Sequence, residues 1–175
     1  MKKKKPILCL DFDGVIHSYE SGWQGPRNIT DLPVPGALEF IVSAIEHFQI
    51  HIFSSRSRYF GGRWAMKRWL KSQYVEISGI DQRDRWHIPR SNLEIPEWWF
   101  NWISQTVFAD PWDDEIDWAI KRLFTQIKFP TKKPSAFLIL DDRAYTFRGA
   151  FPNPKTLLNF KPWNKKEVSD NRDGV

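Results

Sequence analysis

Ile7-Leu8-Cys9-Leu10-Asp11-Phe12-Asp13-Gly14-Val15-Ile16-His17 begins as a short apolar run and ends in two carboxylates one residue apart, followed by a glycine. The run has the length and abrupt bounding of a buried parallel strand. Its carboxylates then stand where the strand leaves the sheet, the edge at which open α/β sheets bind ligands. Two acids at a dry edge are costly unless they face a cation or do chemistry. The rest of the chain is read for the groups that join Asp11 and Asp13 there.

Two further runs have the same form. Ile50 to Phe53 ends in Ser54-Ser55-Arg56, and Ala136 to Leu140 ends in Asp141-Asp142-Arg143. Between the first two, Leu38, Ile41, Ile45 and Phe48 recur at helical spacing after Pro35, which predicts an amphipathic helix over Gly36 to Phe48. Further helices are expected over Arg63 to Ser72, over the aromatic stretch Glu97 to Val107, and over Asp113 to Ile127. The last has its acids at the start and its bases at the end, matching the helix dipole. Short strands are expected at Val75 to Ile80 and Thr156 to Phe160. Val15 to Pro35, with three prolines and two glycines, reads as an irregular flap. Asp81 to Pro96 is polar and irregular, and Phe129 to Pro134 is a linker. Strands alternating with helices give a parallel sheet flanked by helices.

At 175 residues and 41% hydrophobic content the chain forms one domain with a real core. Its expected parts are a basic N-terminal tail over residues 1–5, a domain over 6–163 with a tryptophan-rich insertion at about 59–132, and a flexible tail over 164–175. No apolar run approaches the roughly 20 residues that span a bilayer. Asp11 and Asp13 interrupt the apolar run after Lys2 to Lys5, so a signal-peptide core is not expected. The single cysteine, Cys9, excludes an internal disulfide framework and a cysteine-built zinc site, and points to a reducing cytoplasm. A net charge of +5 favours anionic partners. Nothing in the sequence calls for a membrane or an obligatory protein partner. Most of the ten tryptophans lie between Trp64 and Trp118, as a large aromatic core, as an insertion packed on the site, or as a base-stacking surface.

Parallel strands present their carboxyl ends on one edge, so Asp11/Asp13, Ser54/Arg56 and Asp141/Asp142 can converge. Four carboxylates in one place do not all stay ionised without a cation. With no histidine or cysteine in these three motifs, oxygen ligands dominate and select a hard ion, Mg²⁺.

These motifs resemble those of the haloacid dehalogenase (HAD) superfamily of aspartyl phosphohydrolases. Asp11-Phe12-Asp13-Gly14-Val15 is similar to that family's first motif, Ser54 after Ile50-His51-Ile52-Phe53 to its second, and Asp141-Asp142 after Phe137-Leu138-Ile139-Leu140 to its fourth. The pairing of Ser54-Ser55-Arg56 with Asp141-Asp142-Arg143 further resembles the branch that holds polynucleotide kinase phosphatase domains, related small phosphatases and deoxyribonucleotidases. The resemblance covers roughly Pro6 to Arg58 and Lys133 to Trp163. It implies a Rossmann-like three-layer α/β sandwich with a central parallel sheet, strand one near its middle and no large cap domain.

It also implies roles. Asp11 is the nucleophile and holds Mg²⁺ with its other oxygen. Asp13 is the acid/base partner and offers its backbone carbonyl to the metal. Asp141 and Asp142 complete the metal site, and Ser54 holds the transferring phosphoryl group. The third motif is a lysine: Lys133, just ahead of the Asp141 strand, is the choice, with Lys132 and Lys121 as rivals. Gly14 and Ser55 are expected at the substrate, as are Arg56 and Arg143, whose guanidinium geometry suits phosphate oxygens. The chemistry suits the residues in its own right, since a carboxylate nucleophile splits phosphate-ester hydrolysis into two easier steps.

The expected activity is therefore that of a Mg²⁺-dependent phosphoric monoester hydrolase acting on a phosphorylated substrate, a nucleotide or a polynucleotide phosphate end. Two rivals stand beside it: a nucleic-acid-binding module on the same fold without turnover, and a phosphatase for a small non-nucleotide metabolite.

Overall fold

A computed structural model of the chain describes residues 4–78, 96–106 and 113–144, together with 152, 154–157, 159, 161 and 163. Four strands, β1 (Ile7–Leu10), β2 (Gln49–Ile52), β3 (Ile127–Lys128) and β4 (Leu138–Leu140), form one parallel sheet in the order β3-β2-β1-β4. Helix α1 (Ala37–Ala44) joins β1 to β2, and α2 (Gly62–Ile77), α3 (Glu97–Thr106) and α4 (Asp113–Thr125) lie between β2 and β3. A short α5 (Pro154–Leu157) follows β4.

The register explains why the motifs meet. Leu10 pairs with both Ile52 and Leu140, so β1, β2 and β4 end at one level. The ladder continues one residue further: the Asp11 N–H donates to the Leu140 carbonyl at 2.9 Å, and the Phe53 N–H to the Leu10 carbonyl at 3.0 Å. Asp11, Ser54 and Asp141 consequently leave the sheet side by side.

Strand alternation sorts the side chains. Leu8, Leu10, Ile50, Ile52 and Ile127 enter the core, together with Phe12 just past β1. The progression β1-α1-β2 and onward to β3 runs in one direction along the sheet. Right-handed crossovers then put α1 to α4 on the same face, and contacts of α3 with α1 and α4, and of α2 with α4, join them into a layer. The tryptophan-rich segment, read from sequence as an insertion, contributes the central part of that layer: Trp69, Trp99 and Trp102 are buried in the main core. Trp99 stacks on Trp102 with ring centres 5.2 Å apart and donates its indole N–H to Ser78 Oγ at 2.7 Å. The Tyr74 hydroxyl donates to the Leu38 carbonyl at 2.9 Å and ties α2 to α1. The connection from β3 to β4, residues 129–137, carries no helix.

Several expectations are corrected. Val75 to Ile77 do not start a strand; they end α2, because the buried stripe Trp69, Leu70 and Tyr74 carries the helical period on to partly buried Val75 and Ile77. Residues 79 and 80 lie outside the described residues. The strand expected from Thr156 is absent at Thr156 and Leu157, which belong to α5 behind Pro154, a favoured first helical residue. Leu158 and Phe160 lie outside the described residues, as do Val107, most of Asp81 to Pro96 and the tail 164–175. Two elements have no counterpart in the sequence reading: β3, and a single 3-10 turn over Ser55–Arg58. Helix α1 ends at Ala44 rather than Phe48, and α4 at Thr125 rather than Ile127. No helix among the described residues is long and apolar enough to cross a membrane.

Candidate active site

The carboxyl ends of β1, β2 and β4 surround a cavity of about 250 Å³. Asp11, Asp13, Ser54, Ser55, Lys133, Asp141 and Arg143 line it, with Cys9, Tyr19, Phe53 and Ile139. Cys9 belongs to β1 itself. Period-two alternation puts it on the side of β1 that Asp11 takes one step further on, away from Leu8 and Leu10.

Carboxylate oxygens of Asp11, Asp141 and Asp142 lie within 4.8 Å of one another. The Asp142 side chain has no exposed surface, and neither of its oxygens has a hydrogen-bond partner among the described residues. Among the described residues the nearest cation is Arg143, with Nε 3.7 Å away. Burial pushes the Asp142 carboxyl above its ordinary range; Arg143 opposes this and Asp141 adds to it. Burial likewise pushes Asp11 up to about 7, against the Phe12 N–H that it accepts and with the help of Asp141, Asp13 and Asp142. A buried carboxylate without a hydrogen-bond partner among the described residues, beside two more, is a donor set awaiting a cation. All its atoms are oxygens, which fits Mg²⁺.

Gly14 makes the approach possible. It holds φ +89°, and a Cβ there would lie 2.5 Å from Asp142 Oδ2. Only glycine adopts this conformation cheaply and leaves room for the carboxylate. Gly14 is thus a packing requirement of the carboxylate cluster. Its carbonyl is occupied as well, accepting the Trp163 indole N–H at 2.8 Å. Nothing in the sequence patterns pointed to Trp163.

Asp13 faces elsewhere. Its carboxylate accepts from Arg56 Nε at 2.8 and 3.0 Å, from His17 Nδ1 at 3.0 Å and from Ser54 Oγ at 3.3 Å. Burial alone would raise its pKa, but the His17 hydrogen bond and the Arg56 guanidinium outweigh burial and hold it below the ordinary carboxylate range. The Asp31 N–H donates to His17 Nε2 at 3.2 Å, which makes that nitrogen the acceptor and leaves the ring proton on Nδ1, toward Asp13. His17, expected as a flap residue, is buried under the flap with its ring stacked on Phe12.

Arg56, expected at the substrate, is fully buried, and beyond Asp13 its Nη1 donates to the carbonyls of Gly25 at 2.7 Å and Asn28 at 3.0 Å. Its Nε and Nη1 are thus held by Asp13 and the flap. The turn that presents it is closed by a reciprocal cap: Ser54 Oγ accepts from the Arg56 N–H, and Ser57 Oγ from the Ser54 N–H. Gly62 seats α2 against this turn, since a Cβ there would meet the Arg56 carbonyl at 2.1 Å.

Among the described residues the cations that line the cavity are Lys133 and Arg143. Among the lysine candidates, Lys121 pairs with Asp117 on α4 at 2.6 Å, and neither it nor Lys132 lines the cavity. Arg143 is exposed at the rim, its guanidinium 5.7 Å from the Tyr19 ring centre, and its N–H donates to Asp141 Oδ1 at 2.9 Å. No family model, no curated protein and no solved structure matches this chain.

Proposed function

We propose that the chain is a Mg²⁺-dependent phosphoric monoester hydrolase with a HAD-like, Rossmann-like three-layer fold and no large cap, working in the cytoplasm on a nucleotide or a polynucleotide phosphate end. One observation carries this reading: three carboxylates from the ends of two adjacent parallel strands crowd together, one of them buried with neither oxygen hydrogen-bonded among the described residues. Such a cluster costs stability unless it serves a cation and its chemistry.

Asp11, Asp141 and Asp142 would hold the metal. When bound, Mg²⁺ supplies positive charge against these carboxylates and the phosphoryl oxygens. Asp11 attacks phosphorus through the oxygen it keeps free, the bond to the leaving oxygen breaks, and an aspartyl phosphate forms. Asp13 is held ionised by Arg56 and His17, the state in which it accepts a proton from the water that attacks this acyl phosphate. For Asp13 to give a proton to the leaving oxygen, its carboxylate must first take one up from solvent as one of its contacts loosens; the proton it then accepts from the attacking water restores that state. Ser54, Lys133 and Arg143 line the cavity and bear on the phosphoryl oxygens.

The decisive experiment measures phosphate release from nucleoside monophosphates, from oligonucleotides phosphorylated at either end, and from sugar phosphates, with and without Mg²⁺. Release that needs Mg²⁺ and disappears in Asp11→Asn is expected. Full activity in that variant would sink the mechanism, and preference for a sugar phosphate would sink the nucleotide assignment.

A further inference from the structure

The cavity is small for what the surface beside it offers. Its volume of about 250 Å³ falls below the range of roughly 300–1,000 Å³ typical of sites that engulf a ligand. Its lining is dominated by acids, serines and two cations. It suits a phosphate and its immediate carbon; anything larger lies outside.

What lies outside is aromatic. Trp23 is 45% exposed, Tyr59 54%, Phe60 95% and Trp64 61%. Trp23 and Tyr59 adjoin the active edge through a series of contacts, and Phe60 and Trp64 follow Tyr59 in the chain. Ser55 lines the cavity, and the turn it opens leads directly to Tyr59. Arg56, which holds Asp13, has its guanidinium 4.8 Å from the Trp23 ring centre, and Trp23 lies 5.9 Å from Tyr59. Core packing does not account for rings left this open, and contiguous exposed apolar surface marks an interaction site.

The segment that carries Tyr59, Phe60 and Trp64 holds charge of one sign. Between Ser55 and Tyr74 there are six cations and no acid. Arg58, Arg63, Lys67 and Arg68 are exposed there, with Arg68 5.2 Å from the Trp64 ring centre. Arg27 adds a cation from the flap, its side chain lying against Gly61. Flat rings interleaved with cations are what a single-stranded nucleic acid needs: faces for its bases and charges for its phosphates. A neutral apolar partner would gain nothing from the cations, and a duplex hides the base faces that the rings would cover.

The geometry points to a stacking platform formed by Trp23, Tyr59, Phe60 and Trp64 for the bases of a single-stranded nucleic acid, whose phosphorylated end enters the cavity. The placement of that end rests on the hydrolase reading above; the platform itself does not.

The test is fluorescence anisotropy of a labelled single-stranded oligo(dT) and its RNA counterpart, titrated with the full chain carrying Asp11→Asn so that no phosphate is consumed. Binding that weakens with salt is expected, log affinity falling against log salt with a slope of about −2 to −3 for three to four phosphate contacts. Phe60→Ala and Trp64→Ala should each weaken binding by about five- to a hundredfold. Phe60 is so exposed that its truncation does not threaten the fold. Absence of binding, equal affinity in both ring variants, or preference for duplex overturns the platform. Turnover of p-nitrophenyl phosphate by the unsubstituted chain reads the hydrolase proposal separately. Turnover without oligonucleotide binding overturns the platform alone, and ring-dependent binding without turnover overturns the hydrolase alone.

Discussion

Arg56 and Asp13 form a buried ion pair in which one guanidinium nitrogen, Nε, lies 2.8 Å from one carboxylate oxygen and 3.0 Å from the other. The pair joins three parts of the chain. Asp13 belongs to the β1 edge, Arg56 to the turn after β2, and the Gly25 and Asn28 carbonyls that Arg56 also binds belong to the flap. The flap is irregular in backbone yet anchored at its middle by one side chain.

Removing Arg56 therefore does more than remove a charge. In Arg56→Met the Asp13 carboxylate loses its cation inside the protein and two flap carbonyls lose their donor. A destabilisation of about 3–5 kcal/mol is expected, the scale for breaking one partner out of a buried pair. Urea unfolding at neutral pH measures it. Arg56→Lys keeps the charge but not the fork of donors and should recover only part of the loss. A loss under about 1 kcal/mol in Arg56→Met would mean that the pair contributes as little as a surface bridge.

Gly14→Ala tests how Asp142 is placed. The added methyl would meet Asp142 Oδ2 at 2.5 Å, on a backbone at φ +89°. Strain of about 1–3 kcal/mol is expected. Displacement of Asp142 should cost Mg²⁺ affinity on the order of tenfold to a hundredfold, the scale for disturbing groups that orient metal ligands. Titration calorimetry with Mg²⁺ measures it. Unchanged affinity would show that the contact does not fix the carboxylate.

Metal-free stability should fall as pH rises. Asp11 moves from an ordinary 3.8 to about 7 in the folded chain. Between those values the folded state binds more protons than the unfolded state, so raising the pH favours unfolding. Asp142 is shifted in the same direction. Mg²⁺ reverses the trend, because its ligands must shed their protons before they bind. The rise in melting temperature on adding Mg²⁺ should grow from about pH 5 to about pH 8. Differential scanning fluorimetry across that range checks both trends, and a Mg²⁺ shift independent of pH would contradict the assignment of Asp11 as a ligand.

The parts of the fold legible in the sequence were those whose pattern is local. Ile7 to Leu10 and Ile50 to Ile52 announce themselves as apolar runs closed by polar residues, and the polar closures bring Asp11, Ser54 and Asp141 to one edge. The end of α2 was misread because Val75 and Ile77 have strand propensity, while packing beside Tyr74 decides their conformation. Strand β3 has only two residues, Ile127 and Lys128, too few for any period to register. The network around Asp13 was hidden for a different reason. Arg56, His17 and the flap carbonyls meet only in three dimensions, and an arginine beside a motif serine reads equally well as a substrate ligand. The Ser54 and Ser57 pair was the available clue, since it closes a turn that carries Arg56 inward.

Asp142 and Asp13 offer a last comparison, because the same substitution should have opposite signs at the two. Asp13 is an anion surrounded by donors, so Asp13→Asn removes charge-assisted hydrogen bonds and leaves Arg56 buried without a counter-charge. Destabilisation by about 3 kcal/mol or more is expected. Asp142 has a buried carboxylate with no hydrogen-bond partner among the described residues and Arg143 only at 3.7 Å, so Asp142→Asn removes a charge that is weakly compensated without metal. That variant should be more stable than the parent in EDTA, by about 1–2 kcal/mol, because a buried charge without a hydrogen bond costs more than a neutral amide in the same place. It should also lose the stabilisation that Mg²⁺ gives the parent. Urea unfolding of both variants, in EDTA and in Mg²⁺, reads all four values. If Asp142→Asn is the less stable protein in EDTA, the carboxylate has a partner in the metal-free chain and the case for a cation between Asp11, Asp141 and Asp142 fails.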